Sequence, residues 1–147
     1  RVLLQVAAIL HESGLFISNE AHHKHSRYLV MNSHIPGLSS DEVMLVSVVT
    51  RYHRKAAPRT SHREYVSLSP GDRLLVYQLA AILRVADALD RSHAGQRAHL
   101  RLTLKKDRLL IHARTARDLS LERWGLSRKA DMFEEVFGLK ITLTGTP

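Results

Sequence analysis

Apolar and polar positions alternate along this chain with two different periods, and the change falls near Gly95. Before it the spacing is helical. Val2, Leu3, Val6, Ala7, Ile9 and Leu10 form a broad apolar stripe that stops at Ser13-Gly14, so RVLLQVAAILHESG reads as a helix and its exit. HHKHSRYLVMNSH reads as a second helix, ended by Pro36-Gly37. Ser39 or Ser40 caps a third, and Asp41 and Glu42 in its first turn suit the positive end of a helix. Val43, Val46, Val48 and Val49 bury one side of it as far as about Ala56, ahead of Pro58. Residues 59–68 read as a loop with at most one turn. Ser69-Pro70 sets proline at the first position of a long helix with Leu74, Leu75, Leu79, Ile82, Leu83, Val85 and Leu89 inward.

After Gly95 the period is two. In HLRLTLKKDRLLIHA, Leu100, Leu102 and Leu104 take one face and Arg101, Thr103 and Lys105 the other, with Lys106-Asp107 as the hairpin turn. Leu119 to Phe137 reads as one helix despite Gly125, with Leu121, Trp124, Met132, Phe133 and Val136 on one side, and Gly138 ends it. Leu139, Ile141 and Leu143 alternate with Lys140, Thr142 and Thr144 as a last strand. The expectation is a mainly α chain: a helical domain over residues 1–97, then a small α+β subdomain of order ββαβ over 98–147.

Composition sharpens this picture in three places. At 147 residues and 44% hydrophobic, the chain can bury one real core with a small appendage. It has no cysteine, which removes disulfides and Cys-based zinc sites and fits a reducing compartment. No apolar run reaches the ~20 residues of a membrane span. The chain starts at Arg1 rather than Met, so it is expected to be cut from something longer. The net charge is +8, and it is not a tail effect. Up to Arg97 there are twelve Lys/Arg against eight acids, and beyond it ten against six, so each part carries +4. The sharpest excess is RYHRKAAPRTSHR, residues 51–63, with five Lys/Arg, two His and no acid, which points to an anionic partner. A solvated surface is the plainer reading of such a run.

Histidines and carboxylates gather at the helix ends: His11-Glu12, then His22, His23 and His25, then His53, then Asp87, Asp90 and His93. An imidazole and a carboxylate from one helix with a carboxylate from another are how a bundle builds a metal site, here His11, Glu12 and Asp87. In RYHRK the guanidinium forks of Arg51 and Arg54 fit phosphate oxygens and Lys55 adds a point charge. No glycine-rich phosphate loop and no nucleophile-elbow pattern is present, so no catalytic residue is assigned.

LHESG, HHKHSRYLVMNSHIPG, RYHRKAAP and LLVYQLAAILRVADALDRSH together resemble the C-terminal region of the Ppx/GppA phosphatase family, the exopolyphosphatases and guanosine pentaphosphate phosphohydrolases. The resemblance runs over essentially the whole chain. It implies an HD-like helical domain, its N-terminal helix missing here, followed by the small ββαβ subdomain. Glu12 stands where HD domains carry Asp, so His11, Glu12 and Asp87 are expected to be a vestigial or partial metal set, with Mg or Mn belonging to the parent enzyme. The family's catalytic site lies on actin-like domains outside this chain. The expectation is therefore an auxiliary module, inactive alone, that contributes polyphosphate binding and dimerisation in a cytoplasmic hydrolase. Its polyanion ligands would be His23, Lys24, Arg27, Arg51, His53, Arg54, Lys55 and Arg91, and its partners inorganic polyphosphate or guanosine pentaphosphate and a second copy of the chain. Binding would strengthen in mild acid as His23, His25 and His53 gain charge. The rival reading is a stand-alone HD-type metal-dependent phosphohydrolase acting on nucleotides. Nucleic acid is disfavoured because aromatic stacking groups are scarce, and a membrane because no span is present.

Overall fold

The structure is a computed structural model that describes residues 1–91, 99–115 and 118–146. His93 and the expected 97/98 boundary lie outside the described residues. The chain divides into two compact units, Arg1–Leu83 and Arg84–Pro147, and the division falls inside the long helix α5.

The first unit is helical: α1 (Val2–Leu10), α2 (His22–Met31), α3 (Ser40–Arg51), the single turn α4 (Arg63–Val66) and α5 (Pro70–Leu89) up to the division. α3 is its centre. Val46, Val48 and Val49 are at most 1% exposed, so almost its whole circumference is covered, and α1 and α2 both pack on it. Each such valine contributes roughly 1.5–3 kcal/mol of burial. The hydroxyls of Ser47 and Thr50, buried with them, donate back to the Met44 and Ser47 carbonyls at 2.7 Å and so leave no unmet donor. Ser39 is the cap. It accepts from the Glu42 N–H, and its own N–H donates to the Glu42 carboxylate at 2.8 Å, a reciprocal box that fixes the start of α3.

Three expectations fail in this unit. α3 ends at Arg51 rather than near Ala56, because Tyr52 leaves helical geometry and Lys55 turns through φ 61°. Leu74 is 56% exposed rather than inward. Only Ala7 of α1 is fully buried, with Val2 and Ile9 57% and 78% exposed, because the stripe is wider than the helix surface that α3 covers.

The second unit holds the end of α5, β1 (His99–Leu104), β2 (Arg108–Arg114), α6 (Ser120–Lys129), α7 (Asp131–Phe137) and β3 (Lys140–Thr146). The sheet order is β1-β2-β3. β1 pairs antiparallel with β2 through the expected Lys106-Asp107 turn, closed by the Lys105 N–H donating to the Arg108 carbonyl at 2.8 Å. β3 runs parallel to β2, which requires the intervening α6 and α7 as the crossover. The ββαβ order is as expected, but its helix is two. Arg84, 3% exposed, reaches the Lys129 carbonyl at 3.4 Å and the Asp131 carboxylate at 3.6 Å, so it fastens the end of α6 and the start of α7 at the break. With the helix broken, Leu121 and Trp124 no longer share a face with Met132 and Phe133. They are 57% and 52% exposed, while Met132 and Phe133 are buried.

Pairing puts Leu100, Leu102 and Leu104 on the sheet face of Ala113, Ile111 and Leu109 and then of Gly145, Leu143 and Ile141. Ile111, Ala113 and Leu143 are buried, whereas the three leucines of edge strand β1 are 46–68% exposed.

A candidate anion site at the junction of two helices

The site is assembled by a close approach near the start of the chain. After α1, residues Ser13–Phe16 make a 3-10 turn against α2. A Cβ on Gly14 would lie 2.2 Å from the His22 carbonyl oxygen and 2.4 Å from the Ser26 nitrogen, so only glycine fits. Ser26 completes the joint: it accepts from the Gly14 N–H at 2.9 Å and donates to the His11 carbonyl at 2.6 Å. The HESG and HHKHS strings, distinct in sequence, are thus one structural unit.

That joint points the first turn of α2 inward. His22 and His23 are 6% and 4% exposed, where a solvated histidine face would be open. The segment leaving α3 meets them, with Tyr52 and His53 0% and 1% exposed. His22 and His53 stack with rings 5.2 Å apart and 17° from parallel, and the His11 ring sits edge-on to His53 at 4.9 Å. His22 has polar neighbours at both ring nitrogens: the Asn19 carbonyl lies 3.3 Å from its Nδ1, and Arg54 Nη1 lies 3.3 Å from its Nε2. Arg54 can only donate, and its Nη1 lies 2.9 Å from His22 Nδ1. His22 Nε2 lies 3.2 Å from His53 Nε2, within hydrogen-bond reach. His53 Nδ1 donates to the Thr50 carbonyl at 2.7 Å. Arg54 is therefore held by a line of buried rings, and His53 serves that line.

In the same unit three buried nitrogens, His23 Nδ1, Arg27 Nε and Arg51 Nη1, have no hydrogen-bond partner among the described residues. His23 and Arg27 are four apart on α2 and share a face. Arg51 comes from the last turn of α3, where its Nε also pairs with Glu64 at 3.5 Å and its guanidinium lies 5.4 Å from the Tyr52 ring centre. Leaving such a group unpartnered costs about 1–3 kcal/mol, and more for a charged one. An oxyanion offers acceptors to guanidinium groups of this kind, which are its usual ligands.

Electrostatics corrects one expectation. Burial, and then the charges of Arg51 and Arg54, push the His23 pKa down to about 4. His23 therefore gains no charge in mild acid, and in the unliganded protein it is a neutral hydrogen-bonding group. Burial and the nearby Glu64 likewise raise Tyr52, whose hydroxyl lies 2.8 Å from His62 Nδ1.

Of the expected ligands, then, His23, Arg27, Arg51 and Arg54 meet at this junction, while Lys24 and Lys55 are exposed around it. Arg91 belongs to the second unit, where its guanidinium lies over Trp124. His11 and Glu12 close α1, with His11 Nδ1 donating to the Ala8 carbonyl at 2.8 Å, an orientation that suits a metal ligand. Asp87 lies in the second unit and is already ion-paired to Lys129, with both side chains 12% exposed. Burial pulls the Lys129 pKa down and Asp87 holds it up. A cation at Asp87 would have to compete with that ammonium. The motifs around His23 were legible, but the separate importance of Arg27 was carried only by its i,i+4 spacing from His23. Gly14 gave no signal beyond a helix stop.

The chain thus holds a helical unit that gathers histidine and arginine inward and a small unit of order ββαβ. The family model described as Ppx/GppA phosphatase, domain III, matches residues 1–130, and the chain belongs to this family. Three curated relatives are each named guanosine-5'-triphosphate,3'-diphosphate pyrophosphatase. That of Vibrio atlanticus (strain LGP32) is 32% identical over 126 residues, which cover 82% of this chain and 25% of the relative. That of Pseudoalteromonas translucida (strain TAC 125) is 32% identical over 84 residues, 57% of this chain and 16% of the relative. That of Vibrio vulnificus (strain YJ016) is 32% identical over 83 residues, 56% and 17%. The chain matches a quarter or less of the length of these relatives. Among the described residues no helix is long and apolar enough to cross a membrane.

Proposed function

We propose that this chain is the auxiliary, C-terminal part of a cytoplasmic phosphohydrolase acting on guanosine pentaphosphate or inorganic polyphosphate, and that its first unit holds the substrate's phosphates while the bond is broken on other domains of the parent protein. The observation that carries the reading is the set of unpartnered buried nitrogens on His23, Arg27 and Arg51 beside the tethered Arg54. Lys24 and Lys55 supply exposed charge that draws a polyanion in, with affinity falling as salt rises through counterion release. Pairing of two copies of the chain would double the charge such a ligand meets.

The test is calorimetric titration with long-chain polyphosphate at two salt concentrations. Arg51→Ala, Arg54→Ala and Lys55→Ala together should weaken binding and flatten the salt slope, and Arg101→Ala with Lys105→Ala on β1 should do much less. Equal losses would mean diffuse charge and reject the site.

The alternative, a metal-dependent HD-type phosphohydrolase acting on nucleotides in its own right, is favoured by one observation, the tethered His11 Nδ1. There His11 and Glu12 would be among the ligands of a divalent ion that polarises a phosphate oxygen. Elemental analysis decides between the two: a stoichiometric metal lost in His11→Ala supports the alternative, and its absence from protein equilibrated with Mn supports the auxiliary reading.

A further inference from the structure

The second unit carries a surface of different chemistry, and it stands apart from the reading of the first. α6 can approach the last turns of α5 because residue 125 is glycine. A Cβ there would meet the Ala88 carbonyl oxygen at 3.2 Å and Ala88 Cα at 3.4 Å. This approach seats the preceding residue, Trp124, next to the chain that leaves α5. The Arg91 guanidinium then lies 5.3 Å from the indole centre, and that of Arg128, one helical turn on, lies 5.8 Å from it. The indole nevertheless remains 52% exposed, and Leu121 on the same face of α6 is 57% exposed. Glu122 and Leu126, on the other face of α6, are the ones buried.

A half-exposed indole with two guanidinium groups over its ring, one from α6 and one from the chain after α5, selects its ligand on two counts. A bare phosphate chain would use the arginines and gain nothing from the ring. A neutral apolar partner would use the ring and strip water from two cations without return. The ligand must be both aromatic and anionic. A nucleic-acid strand would call for a row of aromatic platforms, and α6 offers one. We propose that Trp124, Arg91 and Arg128 form a binding site for a single nucleoside polyphosphate, whose base packs against the exposed part of the indole and the guanidinium planes over it and whose phosphates are taken by the same two guanidinium groups.

Trp124 is the chain's single tryptophan, so its fluorescence reports this site alone. The intact chain is titrated with GTP and, separately, with inorganic tripolyphosphate. GTP should change the emission saturably, and tripolyphosphate should not. Arg91→Ala and Arg128→Ala should each weaken the GTP response, and Trp124→Leu should weaken GTP binding followed by calorimetry at least ~fivefold. Arg51→Ala with Arg54→Ala in the first unit should leave the GTP response intact even where it abolishes polyphosphate binding, which separates failure here from failure of the proposed function. No saturable change with GTP at millimolar concentration overturns the proposal. So does an equal change with tripolyphosphate, or a GTP affinity that neither arginine variant alters.

Discussion

The two units treat charge in opposite ways. In the first, polar groups are drawn inward and several are left unanswered: His22, His23 and His53 are at most 6% exposed, and His23, Arg27 and Arg51 each keep a buried nitrogen without a partner. In the second, three cations are matched, Arg84 with Asp131, Lys129 with Asp87 and Arg108 with Asp107, and the exposed surface is apolar and aromatic: the leucines of β1, Leu121, and Trp124 with Arg91 and Arg128 against it. Glu122 is the exception, a buried carboxylate with one unpartnered oxygen. A matched pair satisfies itself and asks for no ligand, while unmatched buried donors are costly until one arrives. The contrast sets buried, unsatisfied nitrogens in the first unit against an exposed apolar and aromatic surface in the second.

The comparison can be broken where each unit is most tightly built. Removing the cation of the Lys129–Asp87 pair strands a mostly buried carboxylate, so Lys129→Met should destabilise by about 3 kcal/mol in chemical denaturation. Lys129→Met with Asp87→Leu should recover much of that loss, as a self-sufficient pair requires.

In the first unit the corresponding weak point is steric. Gly14→Ala forces a methyl onto backbone atoms of α2 and should cost about 2–3 kcal/mol. Gly125→Ala, where Ala88 has only to give by a few tenths of an ångström, should cost about 1 kcal/mol or less. If the two are equal in thermal unfolding, the joint between the 3-10 turn and α2 is not what organises the site.

The pH response sharpens the contrast further. Folded His23 stays neutral to about pH 4, whereas in the unfolded chain it titrates at its ordinary 6.5. Between those values the unfolded chain binds a proton that the folded one does not. Stability is therefore full above about pH 6.5 and declines as pH falls toward 4. In melts at pH 7 and pH 5, His23→Gln should lose less between the two than the unmutated chain. A small effect is expected at a cap: Ser39→Ala should cost about 1 kcal/mol, read from the urea midpoint.

Much of the architecture was legible because period 3.6 and period 2 are local signals. The ββαβ order, the Ser39-Glu42 box and the proline start of α5 all sit in short stretches of sequence. What was missed depends on partners far along the chain. The α6–α7 break is fastened by Arg84, and no local pattern shows a side chain arriving from α5. For the same reason Trp124 looked like core. At the site the residue types were readable but their depth was not. His53 and His23 looked like surface cations, but both are buried, and they have different neighbours: His53 stacks with His22, which Arg54 reaches, while His23 lies within the charge field of Arg51 and Arg54.

The central claim is that buried unpartnered donors, rather than surface charge, hold the phosphates of the ligand. Two variants that remove the same charge test it most directly. Calorimetric titration with pyrophosphate compares Arg27→Gln plus Arg51→Gln with Lys24→Gln plus Lys55→Gln, each folded by circular dichroism. The account predicts a loss of at least ~tenfold in affinity for the arginine pair, about the value of one charge-assisted hydrogen bond, and only a small, salt-dependent loss for the lysine pair. Equal losses from the two pairs, or a larger loss from the lysines, would contradict it.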